Sequence, residues 1–205
     1  MPKDGSKTRL KILEKTHALV LEKGFAGTTI DHILEQTQLT KGAFFYHFRS
    51  KAELALGLIT HYAKNDMNEL QEALEETSQY TNDSAQRLLQ FVQWFIDAFK
   101  SLDAPYPGCL YASYTYESSH FSKEIKEIVA SSILLWRDAI TRMIHEAANA
   151  SNTVLETDAE SLADHFIVIL EGAFIISKSL NDPGLTVRQL SHYHDYLKLI
   201  FENGR

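Results

Sequence analysis

A chain of 205 residues, 44% hydrophobic and 23% charged, with four prolines and nine glycines, is long enough for one sizeable core or for a small domain joined to a larger one. Its single cysteine, Cys109, excludes an intramolecular disulfide framework, and no apolar run reaches signal-peptide or membrane-spanning length, so a reducing, cytoplasmic location with no membrane partner is expected. The net charge of -7 speaks against nucleic acid only until its distribution is read: residues 1–51 hold nine Lys/Arg against five Asp/Glu, a balance of +4, and the rest holds eleven against twenty-two, a balance of -11.

Residues 1–6 read as disordered. From about Lys7, Ile12 with Leu19 and Leu13 with Val20 repeat at seven residues and predict a helix ending at Gly24, a residue suited to a left-handed cap. Thr28 with Asp31 resembles a capping box, and Ile30, Ile33 and Leu34 then predict a short helix over 29–36 with Asp31, His32, Glu35 and Gln36 outward. Residues 37–39 form a turn plugged by Leu39. Thr40 can cap a second short helix anchored by Phe44 and Phe48. Opposite those rings lie Thr40, Lys41, Gly42, Ala43 and His47, flanked by Phe45 and Tyr46, a small, basic and aromatic face. Ser50 with Glu53 repeats the capping pattern and opens a helix running to about Thr77.

Beyond a polar break at 78–84, Leu88, Val92, Phe95, Ile96 and Phe99 predict a helix over 84–101, stopped by Pro105 and Pro107. A tyrosine-rich segment with Tyr111, Tyr114 and Tyr116 precedes a long helix over 123–148. After a break at 149–155, Thr157 with Glu160 caps a helix to about Leu180 that is apolar on nearly every side, and Thr186 with Gln189 caps the last. The fold class is all-α.

Two helices on a three-residue turn, the second with a small and basic exposed face, have the layout of a helix-turn-helix for major-groove reading; an ordinary helical hairpin is the alternative from pattern alone. At these residues the sequence resembles the TetR-type (TetR/AcrR) transcriptional regulators. Thr28-Thr29, Ile33, Thr40-Lys41-Gly42, the aromatic block ending in His47-Phe48, and Ser50-Lys51-x-Glu53-Leu54 fall in the family's order without insertion. The motif covers roughly the first quarter of the chain, and beyond it only length and helical layout are similar.

The resemblance implies an N-terminal three-helix DNA-binding head, residues 1–50, and a larger effector-binding and dimerisation bundle, residues 51–205. It implies a homodimer on a palindromic double-stranded operator, most often a repressor, released by a small-molecule effector and needing no cofactor. Carried over position by position, it sets Thr40, Lys41, Gly42, Ala43 and Phe45 at or near base edges. Tyr46, His47, Lys51 and one or both of Thr28 and Thr29 fall on phosphates. Phe45 stands where the family usually has tyrosine, and contact with a thymine methyl and extra core packing beside Phe44 are both open to it.

An effector pocket is expected among Tyr62, Phe91, Trp94, Phe95, Cys109, Tyr111, Tyr114, Trp136, Met143, His165 and Phe174, since such sites are apolar with a few polar groups. Cys109, after Pro107-Gly108 at a helix start, suggests an alternative regulator that senses oxidants or electrophiles. A constitutive DNA-binding protein without effector is another. An almost wholly apolar helix beside the last one suggests a two-fold interface through Leu162, Phe166, Ile169, Ala173, Ile176, Tyr193, Leu197 and Ile200, with a monomer's central core helix as the other reading. No phosphate loop, serine elbow, cysteine cluster or paired-histidine motif is present, so neither an enzyme nor a metal site is expected.

Overall fold

The computed structural model describes residues 5–80, 83–151, 153, 155 and 157–202, which form nine α-helices and no strand. They are α1 Gly5–Gly27, α2 Ile30–Thr37, α3 Lys41–His47, α4 Lys51–Tyr80, α5 Ser84–Lys100, α6 Leu110–Tyr116, α7 Lys123–Ser151, α8 Ala159–Leu180 and α9 Leu185–Glu202, with a 3₁₀ turn at Ser118–His120. Of the segment expected to be disordered, residues 1–4 lie outside the described residues, whereas Gly5 and Ser6 open α1. The polar breaks are shorter than expected because α4 and α7 run on to Tyr80 and Ser151; residues 81, 82, 152 and 154 lie outside the described residues.

The chain divides into two compact units. The first comprises Met1–Asp66 with Cys109–Ser131. Its core draws Ile12, Leu13, Leu19 and Val20 from α1, Ile33 from α2, Phe44 and Phe48 from α3 and its cap, and Leu54 and Leu58 from α4, all buried. Each such side chain contributes about 1.5–3 kcal/mol relative to exposure, which holds the two short helices α2 and α3 that would not persist alone. Within α1 the helical path breaks at Gly24 (φ 74°, ψ 165°), a conformation that side chains rarely adopt, and one further turn reaches Gly27. Gly57 of α4 is a close approach of another kind: a Cβ there would stand 2.8 Å from the Phe48 ring. The same ring carries the Arg9 guanidinium 4.9 Å over its face.

This unit extends past the boundary expected after residue 50. Tyr114 of α6 stacks on Phe121 at 4.1 Å, Phe25 leans on both rings, and the Tyr114 hydroxyl donates to the Ala55 carbonyl at 3.0 Å. The end of α1 therefore rests on an aromatic wall supplied from much later in the chain.

The second unit comprises Met67–Gly108 with Ser132–Arg205. Its centre is an aromatic cluster of Phe91 and Phe95 from α5, Phe166 from α8 and Tyr193 from α9, with Trp136 at its edge. Tyr193 meets the hydrogen-bonding demand of its buried hydroxyl by donating to the Leu162 carbonyl at 2.8 Å. Asp83 caps α5 by accepting from the Ala85 and Gln86 amides.

Two expected caps are corrected here. Asp158, not Thr157, opens α8 by accepting from the Ser161 amide. Thr186 is buried inside the first turn of α9, and the turn before it is built by Asp182, which accepts from the Gly184 amide and pairs with Arg188.

Five of the eight residues expected at a two-fold interface are covered by the chain itself. Leu162, Phe166, Ala173, Tyr193 and Leu197 are turned into the unit's own core. Ile169 and Ile200 are half-buried and only Ile176 is exposed. A helix apolar all round has two apolar faces, and the sequence pattern does not say which one the chain itself covers. The uncovered face consists of Val168 (64% exposed), Ile175, Ile176 and Leu180 (66%) on α8, with Tyr196 and Leu199 exposed on α9.

Candidate nucleic-acid interface

In the first unit α2 and α3 are joined through Gln38, which takes the left-handed conformation (φ 55°, ψ 33°) and secures the end of α2 by donating its side-chain amide to the Glu35 carbonyl at 2.6 Å. Thr40 then caps α3, its Oγ1 accepting from the Ala43 amide at 3.2 Å. Four residues apart, Phe44 and Phe48 sink into the core and fix the roll of α3, so the opposite side must face out. There Thr40, Lys41, Gly42, Phe45 and Tyr46 are exposed, Tyr46 at 82%, while Ala43 and His47 are half-buried. A Cβ on Gly42 would meet nothing within 4 Å, so no internal packing requires glycine at that position. Phe45 touches the Phe44 ring edge-on at 5.3 Å and remains 36% exposed, so it joins the core by one edge and leaves the other outside.

The two threonines at the start of α2 separate. Thr28 is fully buried, with Oγ1 donating to the Gly24 carbonyl at 2.8 Å, and is removed from the phosphate-facing set. Thr29 is exposed and is the true cap: its Oγ1 accepts from the His32 amide, and His32 Nδ1 accepts from the Thr29 amide. The box is therefore Thr29 with His32, one residue later than the Thr28 and Asp31 pattern, because the Thr28 hydroxyl is consumed in closing the preceding turn. At the start of α4, Ser50 Oγ accepts from the Glu53 amide and Glu53 accepts from the Arg49 amide. Lys51 is half-buried, its Nζ donating to the Ala26 carbonyl at 3.3 Å and lying 4.6 Å from the Phe25 ring centre. Burial lowers its pKa from the ordinary 10.5, and the Glu117 carboxylate opposes that shift. Arg49, exposed between α3 and α4, stands on the same stretch and escaped the sequence reading because no motif position marks it.

The residues expected to line an effector pocket are divided between the two units. In the first unit Tyr62 donates to Cys109 Sγ at 3.8 Å and meets the Tyr111 ring edge-on, while Tyr111 donates to Asp66 at 3.0 Å. Tyr114 belongs to the aromatic wall already described. Cys109 stands at the N-cap of α6 as the sequence suggests, and is 8% exposed. His17 joins this group through the Tyr62 ring at 5.3 Å, a placement that no spacing in the sequence signals.

In the second unit Phe91, Trp94, Phe95, Trp136 and Met143 belong to the α5–α7–α8 core, with Trp94 donating to Glu76 at 2.8 Å. Phe174 packs with Phe99 and Tyr106 instead. His165 is exposed on α8 beside Tyr193 and Tyr196, away from those rings, because its position on the helix turns it outward. No group of His, Cys, Asp and Glu among the described residues has the arrangement of a metal site. None of the described helices is long and apolar enough to cross a membrane.

A capped pair of short helices, the second locked by two buried rings and open on a glycine- and lysine-bearing side, defines the helix-turn-helix class of DNA-binding proteins. Residues 12–58 match the model for bacterial regulatory proteins of the tetR family, and residues 84–193 match the tetracyclin repressor-like C-terminal domain. The chain belongs to the TetR family of DNA-binding transcriptional regulators, and it is not an enzyme. It is 26% identical over 195 residues to an uncharacterized HTH-type transcriptional regulator in the lacX 3′ region of Lactococcus lactis subsp. lactis, covering 95% of this chain and 93% of that one. It is 24% identical over 170 residues to the HTH-type transcriptional repressor DhaR of Mycobacterium sp. (strain GP1), covering 83% and 82%. A TetR transcriptional regulator from Chloroflexus aurantiacus J-10-FL superposes with a TM-score of 0.76 at 25% identity, covering 96% of both chains.

Proposed function

We propose that the protein is a repressor that binds a palindromic operator as a homodimer and releases it when a small-molecule effector binds the helical region beyond the head. The observation that carries the reading is the open side of α3. Gly42 lets the helix backbone approach a groove, Lys41 can donate to guanine O6 and N7, and Phe45 offers an apolar edge to a thymine methyl. Tyr46, His47, Thr29 and Lys51 surround that side as phosphate donors. Seven residues read few base pairs, so useful specificity needs two heads, and the uncovered apolar face of α8 and α9 supplies a surface for pairing. Gly172 within that face has open space where a Cβ would stand, which suits close approach of a second helix. Repression, rather than activation, is supported by the relative named as a repressor.

The test is binding to duplexes from the protein's own promoter region. A palindromic site should be bound by two chains, with log K falling linearly in log salt at about -0.9 per phosphate neutralised. Salt-independent or non-palindromic binding overturns the reading. Lys41→Ala should cost about 1–3 kcal/mol on the best site and relax discrimination at one position, whereas an equal loss on every sequence would make Lys41 a phosphate contact instead.

A further inference from the structure

We propose that Glu117 is a positioning residue for DNA binding: its carboxylate fixes the turn that presents Thr29 and Lys51 to the operator backbone. This rests on the phosphate contacts proposed above. Glu117 follows α6, and its two oxygens accept from the Phe25 and Ala26 amides, each at 2.7 Å, in short charge-assisted bonds. The carbonyl of the same Ala26 accepts from Lys51 at 3.3 Å. One residue of the turn is thus held by an acid at its N–H and by a base at its C=O, the acid from the end of α6 and the base from the start of α4.

The neighbouring backbone is shaped to admit the carboxylate. A Cβ on Gly24 would stand 2.5 Å from Glu117 Oε1, and Gly24 has the positive φ that turns the Phe25 and Ala26 amides outward. Thr28 closes the far side, its amide donating to the Phe25 carbonyl and its hydroxyl to the Gly24 carbonyl. What emerges is Thr29, exposed at the start of α2, and the Lys51 ammonium.

An anion so placed is a liability on electrostatic grounds alone, since it stands beside groups assigned to phosphate and repels DNA. That opposition gives the experiment its sign. A bystander carboxylate, when neutralised, would tighten binding at low salt. A positioning carboxylate, when neutralised or shortened, weakens it.

The experiment measures operator binding by full-length Glu117→Gln, Glu117→Asp, Lys51→Ala and the Glu117→Gln/Lys51→Ala double variant across a salt series, with thermal melts of each. Glu117→Asp keeps the charge but lacks the reach for both amides, and it stands in if Glu117→Gln does not fold. Both Glu117 variants should bind about tenfold more weakly, the loss expected for one charge-assisted hydrogen bond. Glu117→Gln should lower the salt slope by about one per chain, and the double variant should lose less than the product of the single losses. Binding by Glu117→Asp equal to that of the unaltered protein, tighter binding by Glu117→Gln, or multiplicative losses with an unchanged slope overturns the proposal. Failure of the operator reading itself shows separately, as salt-independent binding by the unaltered protein.

Discussion

Gly42 concentrates the argument for groove reading in a single missing methyl group. Nothing in the fold stands within 4 Å of where its Cβ would be, and glycine weakens a helix relative to alanine. Gly42→Ala should therefore raise stability by up to about 1 kcal/mol in denaturant unfolding while weakening operator binding; unchanged binding would remove Gly42 from the interface. His17 bears on pH. It is half-buried, its Nε2 has no hydrogen-bond partner among the described residues, and burial, then the neighbouring His61, lowers its pKa from 6.5. The unfolded chain takes up that proton near its ordinary pKa and the folded chain only at lower pH. The stability tied to neutral His17 is thus present above about pH 6.5 and is lost progressively below it. His17→Gln should shrink the fall in melting temperature between about pH 7.5 and about pH 5.5. Cys109→Ser should leave release by the effector intact, because the thiol is buried at the α6 cap; loss of release by thiol-reactive compounds alone would favour the oxidant-sensing alternative. Residue roles were legible where type and position coincide, as at Phe44, Phe48 and Thr40. They were not legible at Thr28, whose hydroxyl serves the Gly24 carbonyl, since two adjacent threonines look alike until the turn is closed.

For whole elements the apolar period located the helices, and local hydrogen bonding moved their ends. The Ser50 cap is as the sequence indicates, whereas α2, α8 and α9 each start a residue or more away from the expected cap. Short polar side chains compete for the same amides, and the winner depends on how the chain enters the helix. Helix α8 poses the larger problem, since periodicity establishes that it is apolar but not which face the chain covers. The two faces separate experimentally. Ile176→Glu, on the uncovered side, should abolish pairing in analytical ultracentrifugation and leave the unfolding of the single chain within about 0.5 kcal/mol. Phe166→Ala, in the aromatic cluster, should cost about 3–5 kcal/mol of stability.

At the scale of the whole molecule, the most informative sequence feature was the charge imbalance between the first 51 residues and the rest, because field strength depends on distribution rather than on the sum. Less legible was the reach of the first unit beyond the head: α6 and the start of α7 belong to it, and Tyr114 of α6 and Phe121 after the 3₁₀ turn pack on Phe25, a partnership across roughly ninety residues that no local pattern encodes. The uncovered face of α8 and α9 also carries a quantitative implication. If pairing through Val168, Ile175, Ile176, Leu180 and Leu199 is what creates a two-headed reader, then below the midpoint of pairing the number of readers grows as the square of the number of chains. A twofold change in synthesis would then change the number of such paired readers about fourfold, by mass action alone. Trimming one methyl group from that face would shift the dose at which such paired readers form without altering the head.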